Sequence, residues 1–310
     1  MSFSSEVKKE IAHSYPEKPC CELAEAAGFF RSSGAIKPAG GGDIGMVLTT
    51  SIPVVARHFK VLFESLIKES ISITVMQKGG RVNPRRFELN LQPSKAGAEF
   101  LINTGIITRK EGLLTIEKGI SSALTSTKCC RKGFLKGLFL GSGSVADPAK
   151  QYHLEIITRD RFLANDVRRL ANSFTDINAN VMERNGKYVV YLKAAEQVKD
   201  MLGILDANLH LLAFEDARAR HEMRGIVNRY SNCDNANIDR QAAAGMAQIQ
   251  TIMAIEENGN LDKLPLKIRE VAKVRKANPE ASLAEIAEML NPPISKSATA
   301  ARLKSLERYI

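Results

Sequence analysis

The chain has 310 residues, 44% of them hydrophobic and 25% charged, which is an ordinary globular composition with enough length for about two domains. Lysine and arginine (44) exceed aspartate and glutamate (34), and the resulting formal net charge of +10 favours a polyanionic partner without requiring one. No run of about 18 apolar residues occurs, so we expect a cytoplasmic protein that has no membrane partner.

An internal repeat is the most informative feature of the first two thirds of the chain. Cys21 and Cys130 are 109 residues apart, and each begins a run of small and apolar residues that ends in Ser-Gly. Such a run, stopped by glycine and followed by proline, predicts a helix. The same offset pairs Gly28 with Gly137, Phe30 with Phe139 and Ser33 with Ser142.

The segments that follow the two predicted helices are also similar. Apolar and β-branched alternation predicts strands at 44–52, 71–77 and 85–91 in the first half, and at 152–158 and 187–193 in the second. Apolar helical stretches lie between these strands, at 54–69 and 160–173. The two halves are therefore predicted to be copies of one helix–strand–strand–helix unit related by a pseudo-twofold axis.

Gly28 and Gly137 indicate how the two copies meet. A glycine inside a helix costs roughly 1 kcal/mol relative to alanine, and close approach of two helix backbones is one compensation. We therefore expect the segment around Gly28 to pack directly on the segment around Gly137.

The cysteines come as two adjacent pairs and one single residue. Adjacent cysteines are poor disulfide partners, and neither a Cys-x-x-Cys nor a His-x-x-x-His spacing occurs. We interpret the pairs as small, half-buried thiols at the starts of two helices, and predict no metal ion and no cofactor. A four-thiolate zinc site is the alternative, if the pairs meet in space. The cysteines are Cys20, Cys21, Cys129, Cys130 and Cys233.

The two repeated helices, AAGFFRSSG (26–34) and LKGLFLGSG (135–143), resemble degenerate copies of the LAGLIDADG helix of homing endonucleases. The resemblance implies two helices packed at a domain interface and saddle-shaped sheets that grip DNA. It also implies a metal-binding acidic residue at the end of each helix, where this sequence has Ser33 and Ser142. Because magnesium prefers charged oxygen ligands, we predict a scaffold without a catalytic residue.

The last third of the chain is predicted to be helical. Helices are expected at 214–230 and 236–258, separated by a polar turn at 231–237, with a hinge near 257–265. Beyond the hinge, three short helices with a capping box at Ser282 match a helix-turn-helix.

The fold predicted for the whole chain is α+β with an all-α end. Residues 1–212 form a degenerate LAGLIDADG-like domain with repeat halves at about 14–110 and 125–212. Residues 213–262 form a helical linker and 263–310 the helix-turn-helix domain.

The final helix is predicted to be the recognition helix, because its non-core face carries four basic residues and one acid. The residues predicted to face the major groove are Ser295, Lys296, Ser297, Thr299, Arg302 and Lys304.

Two further basic groups are predicted to contact phosphates. The first, on the preceding helix, comprises Lys267, Arg269 and Lys273; the second, around a Gly-Gly turn of the first sheet, comprises Lys78, Arg81, Arg85 and Arg86. A weaker set of the same kind is Arg159, Arg161, Arg168 and Arg169.

Several segments together resemble the WhiA family of bacterial transcription regulators, among them MSFSSEVKKEIA at the start, FLKGLFLGSGSV (134–145), NLDKLPLKIREVA (260–272) and ASLAEIAEMLNPPISKS (281–297). The resemblance spans the chain. It implies a sporulation or cell-division regulator that binds double-stranded promoter DNA at the nucleoid. One segment, SATAARLKSL (297–306), lacks the glycine and the arginines expected at the start of that recognition helix.

Two other functions remain open from the sequence. The chain could be an active, magnesium-dependent homing endonuclease with an added DNA-binding domain. Alternatively, the first domain could be a protein-interaction module that docks on RNA polymerase or another regulator, with DNA read only by the C-terminal domain.

Overall fold

The structure is a computed structural model that describes residues 2–76, 86–110 and 113–310. The chain divides into two compact units, Met1–His221 and Glu222–Ile310.

The first unit begins with helix α1, Phe3–Ala12, and continues with the first repeat half. The elements of that half are α2 (Pro19–Ser33), β1 (Gly34–Pro38), β2 (Ile44–Thr50), α3 (Pro53–Ile67), β3 (Ser72–Met76), β4 (Arg86–Ser94) and α4 (Lys95–Asn103). A small hairpin follows, formed by β5 (Ile107–Lys110) and β6 (Leu113–Ile116).

The second repeat half has the same order of elements. These are α5 (Lys128–Ser142), β7 (Gly143–Val145), β8 (Leu154–Thr158), α6 (Arg161–Ala171), β9 (Asn180–Arg184), β10 (Lys187–Leu192) and α7 (Ala195–Ile204). The predicted strands and helices of both halves are present, but β1, β7, β9, α4 and α7 were not predicted. β1 and β7 are short and directly continue a helix, so their few residues carry little alternation of their own.

The two four-stranded sheets share one antiparallel topology. Their strand orders are β1-β2-β4-β3 and β7-β8-β10-β9. In the first sheet Leu48 lies opposite Leu89, and in the second Ile156 lies opposite Val190, and all four side chains are buried. Residues on alternate positions point to the other face of each sheet. The predicted duplication is therefore present in both the order of elements and the sheet register.

Helices α2 and α5 form the centre of the first unit, as the glycine spacing predicts. A methyl group on Gly28 would lie 2.2 Å from the carbonyl oxygen of Phe134, and one on Gly137 would lie 2.0 Å from the carbonyl oxygen of Glu25. Only glycine allows the two backbones to approach this closely. The aromatic ring of Phe29 stacks on that of Phe59 of α3 at 3.6 Å and joins this contact to the rest of the core.

Helix α8 runs without interruption from Asn208 to Glu257, so the polar turn predicted at 231–237 is wrong. Serine, asparagine and aspartate cost only a few tenths of a kcal/mol each in a helix, and the segment contains neither glycine nor proline. Flanking helix on both sides makes continuation less costly than two new helix ends, which would leave backbone groups without partners.

The second unit combines the C-terminal part of α8 with three short helices. These are α9 (Leu266–Ala277), α10 (Leu283–Glu288) and α11 (Lys296–Ser305), followed by a 3-10 turn, Leu306–Tyr309. Ile252 and Ile255 of α8 lie in the same core as Val271, Ile286 and Leu303. The C-terminal part of α8 is therefore a fourth helix in the core of the second unit. Ile310 is exposed and follows a last helical turn that is 3-10 rather than α.

Candidate nucleic-acid interface

Two capped helix starts set the geometry of the helix-turn-helix. The backbone N–H of Ser282 donates to Glu285 Oε2 (2.6 Å), and the backbone N–H of Glu285 donates to Ser282 Oγ (3.2 Å). This is the predicted capping box, and it begins α10. Ser295 Oγ accepts from the backbone N–H of Ala298 (3.2 Å) and begins α11. Both starts are encoded locally, which is why the sequence predicts them.

A buried arginine holds the turn between α9 and α10. Arg275 is 2% exposed, and its guanidinium donates to the carbonyl oxygen of Ala281 (2.5 Å) and to Gln248 Oε1 of α8 (2.9 Å). Longer bonds reach the carbonyl oxygens of Asn278 and Pro279, both at 3.4 Å. This role was not predicted, because Gln248 and the turn residues 278–281 lie on two different segments of the chain.

The recognition helix α11 presents a basic face to solvent. Ser295, Lys296, Ser297 and Lys304 are exposed, and Arg302 is half-exposed. Leu303 and Leu306 anchor the opposite face in the core of the unit. Among the described residues, no acidic side chain pairs with Lys296, Arg302 or Lys304. These three cations are therefore available to a polyanion.

Thr299 corrects the predicted recognition face. It is fully buried, and its hydroxyl donates to the carbonyl oxygen of Ser295 (3.2 Å). Thr299 lies one helical turn before Leu303, so it belongs to the stripe that faces the core. A buried side chain in this position cannot contact a base edge. The prediction that placed Thr299 on the non-core face is therefore wrong.

Lys267 and Lys273 of helix α9 are exposed, as a phosphate contact requires. Arg269, predicted with them as a phosphate contact, instead forms an ion pair with Asp262 at 3.3 Å and donates to the carbonyl oxygen of Leu264 at 3.2 Å. Its guanidinium holds the chain that enters α9. This corrects the expectation for Arg269, since a cation with internal partners is less available to phosphate.

The first unit contributes a second candidate surface, the outward faces of the two sheets. On the first sheet this face carries Lys37, Arg86, Thr49 and Asn90, and Lys37 Nζ donates to Asn90 Oδ1 at 3.3 Å. Arg86 is exposed at the start of β4. Lys78, Arg81 and Arg85, predicted around the same turn, lie outside the described residues.

The outward face of the second sheet carries an ion-pair cluster. Arg184 donates to both carboxylate oxygens of Glu155 (3.1 and 3.0 Å), and His153 Nε2 lies 3.3 Å from the same carboxylate. Partial burial by itself raises the pKa of Glu155, but the hydrogen bonds from Arg184 and His153 outweigh it and lower this pKa below its usual value. Of the weaker basic set, Arg159, Arg161 and Arg168 are exposed, whereas Arg169 pairs with Asp166.

Ser33 and Ser142 are the last residues of α2 and α5, as the resemblance implies for the positions of catalytic acids. Each hydroxyl donates back to its own helix: Ser33 Oγ to the carbonyl oxygen of Phe29 (2.8 Å), and Ser142 Oγ to that of Leu138 (3.5 Å). Asp147, a carboxylate that follows the end of α5 in sequence, is exposed. It caps its own turn by accepting a hydrogen bond from the backbone N–H of Ala149 (2.9 Å). The two helix ends therefore present neutral hydroxyls.

A buried ionic group between the repeat halves was missed by sequence analysis. Glu25 of α2 is fully buried, and its Oε1 lies 2.7 Å from His58 Nε2 of α3. The ammonium of Lys136 on α5 lies 3.8 Å from Glu25 Oε2 and donates to the carbonyl oxygen of Ser14 at 2.8 Å. The only sequence signal is a charged residue inside each run of small residues, which does not identify the partner.

The two cysteine pairs meet in space at the amino-terminal ends of α2 and α5. The sulfur atoms of Cys20, Cys21, Cys129 and Cys130 all lie within 4.8 Å of one another. The hydroxyl of Thr127 lies 3.2 Å from the sulfur of Cys129, and hydrogen bonds from Thr127 and then Cys21 lower the pKa of the Cys129 thiol to about 7. The spatial condition for the four-thiolate alternative is thus present.

No helix in the described parts of the chain combines the length and the apolar character needed to cross a bilayer.

Three sequence models of WhiA segments match this chain. The WhiA N-terminal LAGLIDADG-like domain matches residues 19–107, the WhiA LAGLIDADG-like domain matches 131–224, and the WhiA C-terminal HTH domain matches 227–310. The probable cell division protein WhiA of Alkaliphilus metalliredigens is 39% identical over 99% of this chain and 97% of its own length. The chain belongs to the WhiA family.

Other WhiA proteins support the assignment over the full length. The probable cell division protein WhiA of Thermoanaerobacter pseudethanolicus is 38% identical over 99% of this chain and 96% of its own length. The crystal structure of full-length DUF199/WhiA from Thermotoga maritima covers 100% of this chain and 99% of its own, with a TM-score of 0.61 and 26% identity. The predicted WhiA fold, two LAGLIDADG-like halves and then a helix-turn-helix, is confirmed.

Proposed function

We propose that this WhiA-family chain is a sequence-specific regulator that binds double-stranded promoter DNA and does not cut it. The observation that carries the proposal is the recognition helix: α11 turns Lys296, Ser297 and Lys304 to solvent while Thr299 and Leu303 anchor it. Exposed basic and small polar side chains at the start of such a helix suit direct contact with base edges in the major groove. Lys267 and Lys273 on α9 would hold the backbone on either side of that contact.

The non-catalytic part of the proposal rests on the ends of α2 and α5. Cleavage of a phosphodiester by a metal ion needs anionic oxygen ligands, and Ser33 and Ser142 offer hydroxyls that are bonded to their own helices. The outward sheet faces would then serve only to hold DNA, with Arg86 and Lys37 among the contacts.

The biological setting is proposed from the relatives. They carry the name probable cell division protein, which supports a role in cell division. Control of cell-division or sporulation genes at the nucleoid is our proposal for that role. We propose RNA polymerase or another regulator as a protein partner in that role.

The experiment selects bound sequences from a random DNA library with the full-length protein, and then measures affinity for the selected site. Lys296→Ala should weaken specific binding by about 5- to 150-fold, equivalent to about 1–3 kcal/mol for a base contact. The control is Arg240→Ala, which removes the same charge from an exposed position on α8 and should leave specificity unchanged. Equal losses in both variants would contradict base recognition by α11.

The same selected DNA tests the absence of cleavage. Incubation with magnesium or manganese should leave it intact on a denaturing gel, because the helix ends lack ionised ligands. Specific nicking would instead support the homing-endonuclease alternative and overturn the proposal.

A further inference from the structure

The cluster of Cys20, Cys21, Cys129 and Cys130 is not used by the proposed function. The two pairs are 109 positions apart in sequence, yet their four sulfur atoms lie within 4.8 Å of one another. Within residues 2–76, 86–110 and 113–310, no other group of three or more cysteine, histidine or acidic side chains brings its ligand atoms together in this way. Each repeat half supplies two of the four sulfurs.

The dimensions of the cluster suit a single tetrahedral ion. Zinc binds thiolate sulfur at about 2.3 Å, so the edge of a four-sulfur tetrahedron is about 3.8 Å. The sulfurs of Cys20 and Cys21 are 4.0 Å apart, and the largest separation in the group exceeds that edge by only about 1 Å. A small rotation of the exposed side chains would close the difference. An iron–sulfur cluster spreads its cysteines around several metal atoms and needs a wider cage.

The electrostatic surroundings also suit an anionic site. Zinc with four thiolates carries a net charge of −2, and all four cysteines lie in the first turns of α2 and α5. The positive ends of two helix dipoles therefore converge on the sulfurs. Lys18 precedes α2 and Lys128 begins α5, whereas Lys132, which lines the same cavity as Cys21 and Cys129, already pairs with Asp206 at 2.6 Å. A pair of neutral disulfides would gain little from this positive surrounding.

We infer that Cys20, Cys21, Cys129 and Cys130 bind one zinc ion, which clamps the amino-terminal ends of α2 and α5 together. Four protein ligands leave no open position, so the ion is structural rather than catalytic. The site lies about 20 Å along each helix from Ser33 and Ser142, at 1.5 Å per residue, so it is separate from the metal position of homing endonucleases. Cys20 is exposed and Cys129 half-exposed, which provides an entry path for the ion.

The test uses the full-length protein, purified under reducing conditions without a chelator, and measures bound metal by mass spectrometry. Wild type should hold about one zinc ion per chain. In Cys20→Ser/Cys129→Ser, zinc affinity should fall by more than about 100-fold, because even the loss of an outer-shell partner costs about 10- to 100-fold. Cys233→Ser is the matched control and should keep the ion, since Cys233 lies exposed on α8 outside the cluster.

Cobalt provides a readout that does not depend on the stability of a variant. Wild type loaded with cobalt should show the intense visible absorption of tetrahedral cobalt and the ultraviolet charge-transfer band of thiolate ligands. Zinc should also raise the melting temperature of wild type and of Cys233→Ser. The inference is overturned if reduced wild type takes up neither metal, if the double variant keeps the ion, or if titration finds the clustered thiols already oxidised to disulfides.

Discussion

Two glycines determine how closely α2 and α5 approach, and they illustrate what single residues contribute to this fold. Gly28 and Gly137 occupy equivalent positions in the two repeats, and each lies against a carbonyl oxygen of the opposite helix. Their spacing was sufficient to predict the contact. The buried Glu25, His58 and Lys136 beside them were not predicted, because pairing of such charges depends on distances that the sequence does not contain.

We expect Gly137→Ala to lower the free energy of unfolding by about 1–3 kcal/mol, because its new methyl group would overlap the carbonyl oxygen of Glu25 and backbone cannot easily move away. Gly225→Ala is the control: it adds the same methyl group within helix α8, where the methyl group would lie 3.7 Å from the Arg229 guanidinium, an ordinary contact. That change should be neutral or stabilising by up to about 1 kcal/mol. Urea titration followed by circular dichroism measures the free energy of unfolding of both variants. If Gly137→Ala changes this free energy no more than Gly225→Ala does, the packing argument is refuted.

Arg275 supports a second prediction at the residue scale. Arg275→Lys keeps the positive charge but cannot reach Ala281 and Gln248 together, so buried carbonyl groups lose their donor. The helix-turn-helix unit should lose about 2–3 kcal/mol of stability. Arg240→Lys, at an exposed site on α8, should leave the melting curve unchanged. A melting temperature of Arg275→Lys equal to that of wild type would show that the bonds to the turn contribute little.

At the scale of elements, helix starts were predicted well and helix continuity was not. The capping box of α10 is contained in four consecutive residues, so it is visible in the sequence. The polar segment 231–237 has the composition of a turn, yet it lies inside α8, because its weak helix formers are outweighed by helix on both sides. The local conformational preference of a segment determines where a helix begins or ends only where that preference is strong.

Ser282→Ala should destabilise the second unit by about 1 kcal/mol, since it removes the oxygen that accepts from the backbone N–H of Glu285. Ser231→Ala replaces an exposed serine within α8, where alanine is the better helix former, and should be neutral or slightly stabilising. Thermal unfolding followed by far-ultraviolet circular dichroism compares the two. A larger loss in Ser231→Ala than in Ser282→Ala would contradict the role given to the cap.

At the scale of the whole molecule, a duplicated α+β unit is joined to a helical unit whose recognition helix is basic. Both the repeat and the helix-turn-helix were predicted from sequence patterns, because each is built from elements with strong periodicity and clear ends. The number of DNA contacts depends on which cations remain unpaired after folding. Lys273 and Lys276 are both exposed and lie one turn apart on α9, but Lys276 pairs with Glu256, whereas Lys273 has no acidic partner in the described parts of the chain.

This difference gives a prediction for the salt dependence of DNA binding. If about six phosphates are contacted, the logarithm of affinity should fall against the logarithm of salt concentration with a slope near −5. Lys273→Ala should make the slope less steep by about 1 and Lys276→Ala should not, because only an unpaired lysine releases a counterion from the DNA. Fluorescence anisotropy with the full-length protein measures each slope, and a flat response in wild type would remove the phosphate contacts from the proposal.

The sequence by itself determined the repeat, the close helix pair, the serines at the helix ends, the capped starts of the last helices and the family. These features are written in short segments or at a constant offset, so no knowledge of long-range contacts is needed to find them. Only the tertiary structure decided that Thr299 is buried, that Arg269 is paired, that α8 completes the second core, and that four cysteines converge. Apart from the local pairing of Arg269 with Asp262, these outcomes depend on which distant segments meet, and that is settled by packing summed over the whole chain.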